Sequence, residues 1–204
     1  MPLVALALLL VIRTYDTFGV PAGDLDTARR TADGALRAAG LDTSWTACQA
    51  SGRHVDQPPA RCGLVPESGE LLIRIVAGAR GTDQADALGD AFIDSKNRQG
   101  MLATLYGGRI AALAGRAGIQ PGALLGRALA HEVGHLLLGT SAHRGRGLMR
   151  AHWTLDELRR PIEVDWLFSG SDAVAMQAGL TRRLTTLSHE RMGTRQPPSS
   201  EAPE

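Results

Sequence analysis

Apolar residues in this chain fall into short blocks separated by glycine, proline and charge, and the period within each block predicts an element. Leu3 to Ile12 is an unbroken apolar run, and Arg13-Thr14-Tyr15-Asp16 reads as the end of a strand that began near Leu8. Alanine dominates from Asp24 to Ala39; Asp24 offers a cap and Gly40 a stop, which predicts a helix. Leu41 to Ala47, with Trp45, is a short strand candidate, and Glu70 to Val76 is a stronger one because its Leu, Ile and Val suit burial. Gly78 and Gly81 break it, and residues 82–100 read as polar and irregular. Met101 to Tyr106 predicts another strand and Arg109 to Ala117 another helix.

The clearest helix follows. Pro121 suits a first turn, and the stretch from Ala123 to Leu138 is rich in Ala and Leu, with Leu124, Leu125, Ala128, Leu129, Leu136 and Leu137 available for burial. Gly139 is placed to end it in a left-handed cap. Thr154 begins a short helix containing Asp156 and Glu157, and Ser169 or Ser171 caps a last helix ending near Leu187. Residues 189–204 are polar, rich in Pro and Ser and without apolar period, so a disordered tail is expected there. No internal repeat is present. Strands mixed with helices over 204 residues predict one α/β (α+β) domain spanning about residues 11–188. Residues 1–10 are either the remnant of a signal peptide or the start of the first strand.

Composition narrows the function. The apolar share is 44% and the formal charge +1, so no bulk charge argues for nucleic acid or a membrane surface. Lys96 is the only lysine beside many arginines, which reads as a genomic base-composition effect. No basic patch interleaves with aromatics, and neither a glycine-rich phosphate loop nor a Gly-x-Ser-x-Gly elbow occurs. Nucleotide and serine-hydrolase readings have no support, and no nucleic-acid partner is expected.

The chemistry is concentrated in His131-Glu132-Val133-Gly134-His135, followed by Gly139, His143 and Met149. Residues i and i+4 share a helix face, so His131 and His135 can aim ring nitrogens at one ion. Glu132 directly follows the first histidine and can take a proton from water at the metal. Zinc hydrolases need three protein ligands, an open position and a general base. The third ligand is open from sequence: His143, a carboxylate among Asp156, Glu157, Glu163 and Asp165, or His152. The bland reading is a helix carrying two half-buried, hydrogen-bonded histidines.

The stretch HEVGHLLLGTSAHRGRGLMRAHW resembles the metzincin pattern, HExxHxxGxxH followed by a methionine turn. Here it reads HExxHxxxGxxxH, the glycine one residue late and the histidine two, and is similar to a bacterial group of metzincin-like zinc metallopeptidases. The likeness covers residues 8–188 loosely, including VIRTYDTFGVP from Val11 to Pro21 and the two cysteines; only residues 124–153 are specific. It implies a zincin fold with a mixed twisted sheet, a zinc helix and a small C-terminal lower lobe. It implies one Zn2+ held by His131, His135 and His143, Glu132 as general base, and Met149 as an apolar floor. The substrate is then a peptide or protein, lying along an edge strand for which Met101 to Tyr106 or the loop before it is the candidate. Tyr106 either contacts substrate or is a structural aromatic. The alternative is a zinc-binding module of the same fold that has lost catalysis and acts by binding or inhibition.

Cys48 and Cys62 bracket a polar loop. A disulfide there is consistent with an oxidising compartment and stabilises by roughly 3 kcal/mol in the chain-entropy model; two free thiols, or a zinc site with His54, are the alternatives. The run from Leu3 to Ile12 is too short to span a bilayer but fits a signal-peptide core, although it lacks a preceding basic residue and a clear cleavage site. Export to the periplasm or medium, without stable membrane insertion, is the favoured expectation; a cytoplasmic protein with a buried first strand is the other.

Overall fold

Strand β1 (Leu8–Asp16) buries Leu10 and Ile12 completely. It lies inside the sheet, paired in parallel with β2 (Leu41–Ala50) on one side and β3 (Glu70–Val76) on the other. Its partner β3 pairs in parallel with β5 (Gln99–Tyr106), and β4 (Gly89–Asp94) closes the sheet antiparallel to β5. The five-stranded order is β2-β1-β3-β5-β4. The computed structural model describes residues 8–50, 59–78, 86–160 and 162–193. The signal-core reading of residues 3–7, and most of the loop between the cysteines, lie outside them. From Leu8 onward the apolar run is sheet.

Helix α1 (Ala22–Ala38) carries the chain from β1 to β2. Asp24 is not its cap. The helix starts earlier, after Pro21, whose ring presets the first turn, while Asp16 accepts the N–H groups of Phe18, Gly19 and Val20 at 2.8–3.0 Å. The Asp24 carboxylate instead accepts the N–H of Gly122, at the start of the central helix. Helix α2 (Gly107–Ala117) follows β5 directly.

Helix α3 (Pro121–Leu138) is buried on nearly every side, as a helix apolar all round must be. It packs on α1 and lies against β5 and β4. Gly126 permits the α1 crossing: a Cβ there would stand 2.5 Å from the carbonyl oxygen of Ala28. Two short elements come next, α4 (Leu155–Arg159), closed by a Thr154–Glu157 capping box, and a 3-10 turn at Glu163–Trp166. Helix α5 (Gly170–Gly193) runs past Leu187, so residues 189–193 are helical; the tail expected at 194–204 lies outside the described residues. Arg183 locks α5 to α3. Its buried guanidinium donates to the carbonyls of Leu136 (3.0 Å), Ser68 (3.4 Å) and Gly100.

The stretch read as irregular, residues 82–100, contains β4; β2 and β4 are the edges of the sheet, so of the two edge candidates the segment before Met101, not Met101 to Tyr106, lies at an edge. The side chains of β4 alternate between half-buried and exposed, Phe92 being largely exposed. A strand held by main-chain pairing on one side only needs little apolar content. Cys48 and Cys62 stand at disulfide distance, Sγ–Sγ 2.02 Å, joining the end of β2 to a 3-10 turn at Ala60–Gly63. Beneath that turn Glu70 meets Arg13, fully buried, and Arg61 at 3.1 Å. Among the described residues no helix is long and apolar enough to cross a membrane.

Candidate metal centre

His131 and His135 project from one face of α3, and both are buried. The Nδ1 atom of His131 meets the carbonyl oxygen of Leu148 at 2.8 Å, and that of His135 meets the carbonyl oxygen of Thr140 at 2.7 Å. A carbonyl only accepts, so each neutral ring carries its proton on Nδ1 and presents a lone pair at Nε2. Those two Nε2 atoms face each other at 3.0 Å. Burial, and then the neighbouring His135, push the His131 imidazole down to about 3; burial lowers His135 as well. Both rings are therefore neutral at pH 7.

His143 arrives from beyond the helix. Gly139 takes the left-handed conformation (φ 63°), and its N–H closes the helix on the carbonyl of His135 at 2.9 Å. Any side chain at Gly139 would strike the Arg98 carbonyl, since a Cβ would lie 1.9 Å from it. The chain then turns back, and the Nε2 of His143 comes within 3.3 Å of that of His135. Ligand atoms of His131, His135 and His143 all lie within 4.8 Å of one another.

This donor set fits a zinc ion. Tetrahedral coordination at Zn–N distances of 2.0–2.1 Å separates ligand nitrogens by about 3.4 Å, close to the 3.0 and 3.3 Å of two of the three pairs, while the third pair lies within 4.8 Å. Converging lone pairs repel, and a cation between them reverses the sign of that interaction. Held Nδ1 protons also fix ring orientation, as partners of metal-binding imidazoles commonly do.

Glu132 faces the sheet edge, 5% exposed. Burial, with the Asp90 charge adding to it, pushes its carboxyl up to about 8; a divalent cation nearby acts in the opposite direction. Gly89 of β4 makes room for it: a Cβ at Gly89 would stand 2.8 Å from the Glu132 Oε1. Tyr106, buried at the end of β5, has Asp90 as a hydrogen-bond partner and Arg109 4.8 Å over its ring. Burial, then Asp90, raises its phenol above the usual value. This is an aromatic fixed in place beside the Glu132 carboxylate.

Met149 is 1% exposed, and its thioether packs on the α3 backbone at Gly134, between the two helical histidines. Its carbonyl accepts the N–H of Arg144 at 2.8 Å, tying the two ends of the His143 loop together. Trp153 stands edge-on to the His131 ring, centroids 5.7 Å apart, and backs onto Trp166. Arg127 covers the Trp166 ring at 3.8 Å.

The other sequence candidates are placed elsewhere. Asp156 pairs with Arg159, and Glu157 is committed to Thr154 and to Arg150 at 3.1 Å. Glu163 and Asp165 sit on the short 3-10 turn. None joins the histidines in a potential metal group among the described residues. His152 is exposed, and its charge acts on His143 without completing the cluster. Sequence reasoning passed over Gly89 and Asp90, and gave Trp153 no role of its own although it ends the stretch that carries the resemblance. Only Trp153, four residues after Met149, carried a positional signal.

No protein-family model and no curated protein matches this chain. Among solved structures it is similar to the crystal structure of archaemetzincin from Methanopyrus kandleri, with a TM-score of 0.55 and 17% identity. The match covers 88% of this chain and 100% of that one. The fold is that of archaemetzincin. At this identity the likeness speaks for the fold alone.

Proposed function

We propose that this chain is a zinc-dependent peptidase, holding one Zn2+ through His131, His135 and His143 and hydrolysing peptide bonds in a peptide or protein substrate. The observation that carries the reading is the convergence of the three Nε2 atoms, two of them fixed as lone pairs by carbonyl-bound Nδ1 protons. A structural two-histidine helix needs no third ring and gains nothing from facing lone pairs.

Zinc at this position supplies a Lewis acid that polarises a peptide carbonyl and lowers the pKa of a water molecule. Glu132, buried beside the cluster, takes the water's proton and returns it to the departing amine. Met149 forms an apolar floor under the ligands, adaptable in shape because a thioether is soft and unbranched. An extended peptide adds to the free side of β4, where main-chain groups give affinity without sequence preference. The Cys48–Cys62 pair supports work in an oxidising compartment, hence export.

Digestion of a peptide library by wild type and by Glu132→Gln tests the reading. Glu132→Gln is expected to keep its zinc and lose about 10²–10⁴-fold in rate, the usual contribution of a general base. Full activity in Glu132→Gln would overturn the mechanism. Zinc-loaded wild type that cleaves nothing across the library would favour the non-catalytic binding module.

A further inference from the structure

His143 alone of the three histidines rides on a loop, and it is the exposed member of the cluster. The next residue, Arg144, reaches away from the histidines to the first turn of α5. There its Nε and Nη2 donate to one oxygen of Asp172, at 3.0 and 2.9 Å. Asp172 is 1% exposed. Its other oxygen accepts the Ser169 hydroxyl at 2.7 Å, and its N–H donates back to that hydroxyl at 3.1 Å. A carboxylate this buried is held only if it is paired and hydrogen-bonded, and the helix N-terminus favours its charge. Neither factor requires that its cation come from the residue after His143.

We propose that Asp172 is a positioning residue for the metal centre: through its two-pronged ion pair with Arg144 it fixes the loop that carries His143. The inference rests on the peptidase reading, which makes His143 a ligand. The Arg144 N–H already bonds the Met149 carbonyl, so its side chain is a second anchor at the same residue. Together the two anchors set where the His143 ring returns to α3. His131 and His135 need no such help, because the helix and their carbonyl partners place them.

Charge alone pushes the other way. Arg144 is a cation next to a cation site, so removing its charge would tighten metal binding; weaker binding in its absence reports geometry. The test is zinc affinity, by competition with a chromophoric chelator at neutral pH, for Arg144→Gln, Asp172→Asn and the double variant. Unfolding of each apoprotein is followed in parallel. Each single change is expected to weaken zinc about tenfold or more, as loss of a ligand's supporting contacts does. The double variant is expected to be no weaker than either single one, because both break one contact. Arg146→Gln, the same charge change two residues on, is expected not to weaken zinc. Cobalt substituted into Arg144→Gln is expected to lose visible absorption intensity as His143 drifts from its place.

Arg144 is partly at the surface, so Arg144→Gln decides the matter even if Asp172→Asn does not fold. Wild-type zinc affinity in a folded Arg144→Gln would overturn the inference, as would additive losses in the double variant. His143→Ala separates the two readings. If it loses zinc while Arg144→Gln keeps it, the clamp fails and the metal centre stands. If wild type binds no zinc, or His143→Ala binds it undiminished, both fall.

Discussion

The thioether of Met149 occupies the space that a side chain on Gly134 would need: a Cβ built there would stand 2.7 Å from the sulfur and 2.7 Å from the Phe168 ring. Two effects oppose each other at this position. Alanine is the better helix former by about 1 kcal/mol, but forcing a methyl into a packed core costs about 1–3 kcal/mol. The second wins, because the added methyl meets the Phe168 ring as well as the thioether, and both would have to move within a packed core. Gly134→Ala is expected to lower stability by about 1 kcal/mol or more. Gly115→Ala, on the exposed face of α2 with nothing within 4 Å of its Cβ, is expected to raise it by about 0.5–1 kcal/mol. Denaturant unfolding of the pair checks the sign; a gain at Gly134 would mean that Met149 is not packed on the helix.

Gly89 stands in the same relation to Glu132. A methyl there meets the Glu132 carboxylate and the Thr104 carbonyl, each at 2.8 Å, so the side chain must swing aside and the β4 backbone must ease away from β5. Gly89→Ala is expected to cut the peptidase rate by about tenfold or more while zinc content stays at the wild-type level, since a displaced general base loses its hydrogen-bond reach. Unchanged turnover in a zinc-loaded Gly89→Ala would show that Glu132 has room to spare.

Stability of the metal-free protein is expected to peak near neutrality. The His131 pKa falls from 6.5 to about 3 on folding, so its contribution is complete above about pH 6.5 and is lost as pH drops toward 3; His135 and His143, also lowered, add to that loss. Glu132 has the opposite sign. Its pKa rises from 4.5 to about 8, so its contribution is complete below 4.5 and is lost as pH rises through 8. Just below 6.5 all three histidines act against it; above 6.5 it acts alone. Thermal unfolding of chelator-treated protein across pH 4.5–8.5 should therefore show a maximum near pH 6.5. A melting temperature that rises steadily to pH 8.5 would contradict the burial of Glu132.

The central helix was legible because its signals are local: Pro121 at one end, Gly139 at the other, and apolar residues between them. The strand Glu70–Val76 was legible for the same reason. What escaped depends on distant partners. Strand β4 is held by β5 and exposes alternate side chains, so its composition reads as loop. Asp24 carries a cap-like sequence, yet its carboxylate serves Gly122, 98 positions away. His131, Glu132 and His135 could be placed together from helical spacing. The return of His143 depends on the path after Gly139, and its Asp172 anchor lies 28 positions beyond Arg144, outside any local pattern.

The most direct test is the zinc content of wild type and His143→Ala, prepared together under mild conditions and measured by elemental analysis. About one zinc per wild-type chain, with marked loss in His143→Ala, is the expected result, because tetrahedral zinc needs three protein ligands to leave its fourth position open. Zinc retained in full by His143→Ala would take His143 out of the ligand set and contradict the three-histidine site. A wild-type protein that takes up no zinc even after reconstitution would reduce the cluster to buried histidines on a helix.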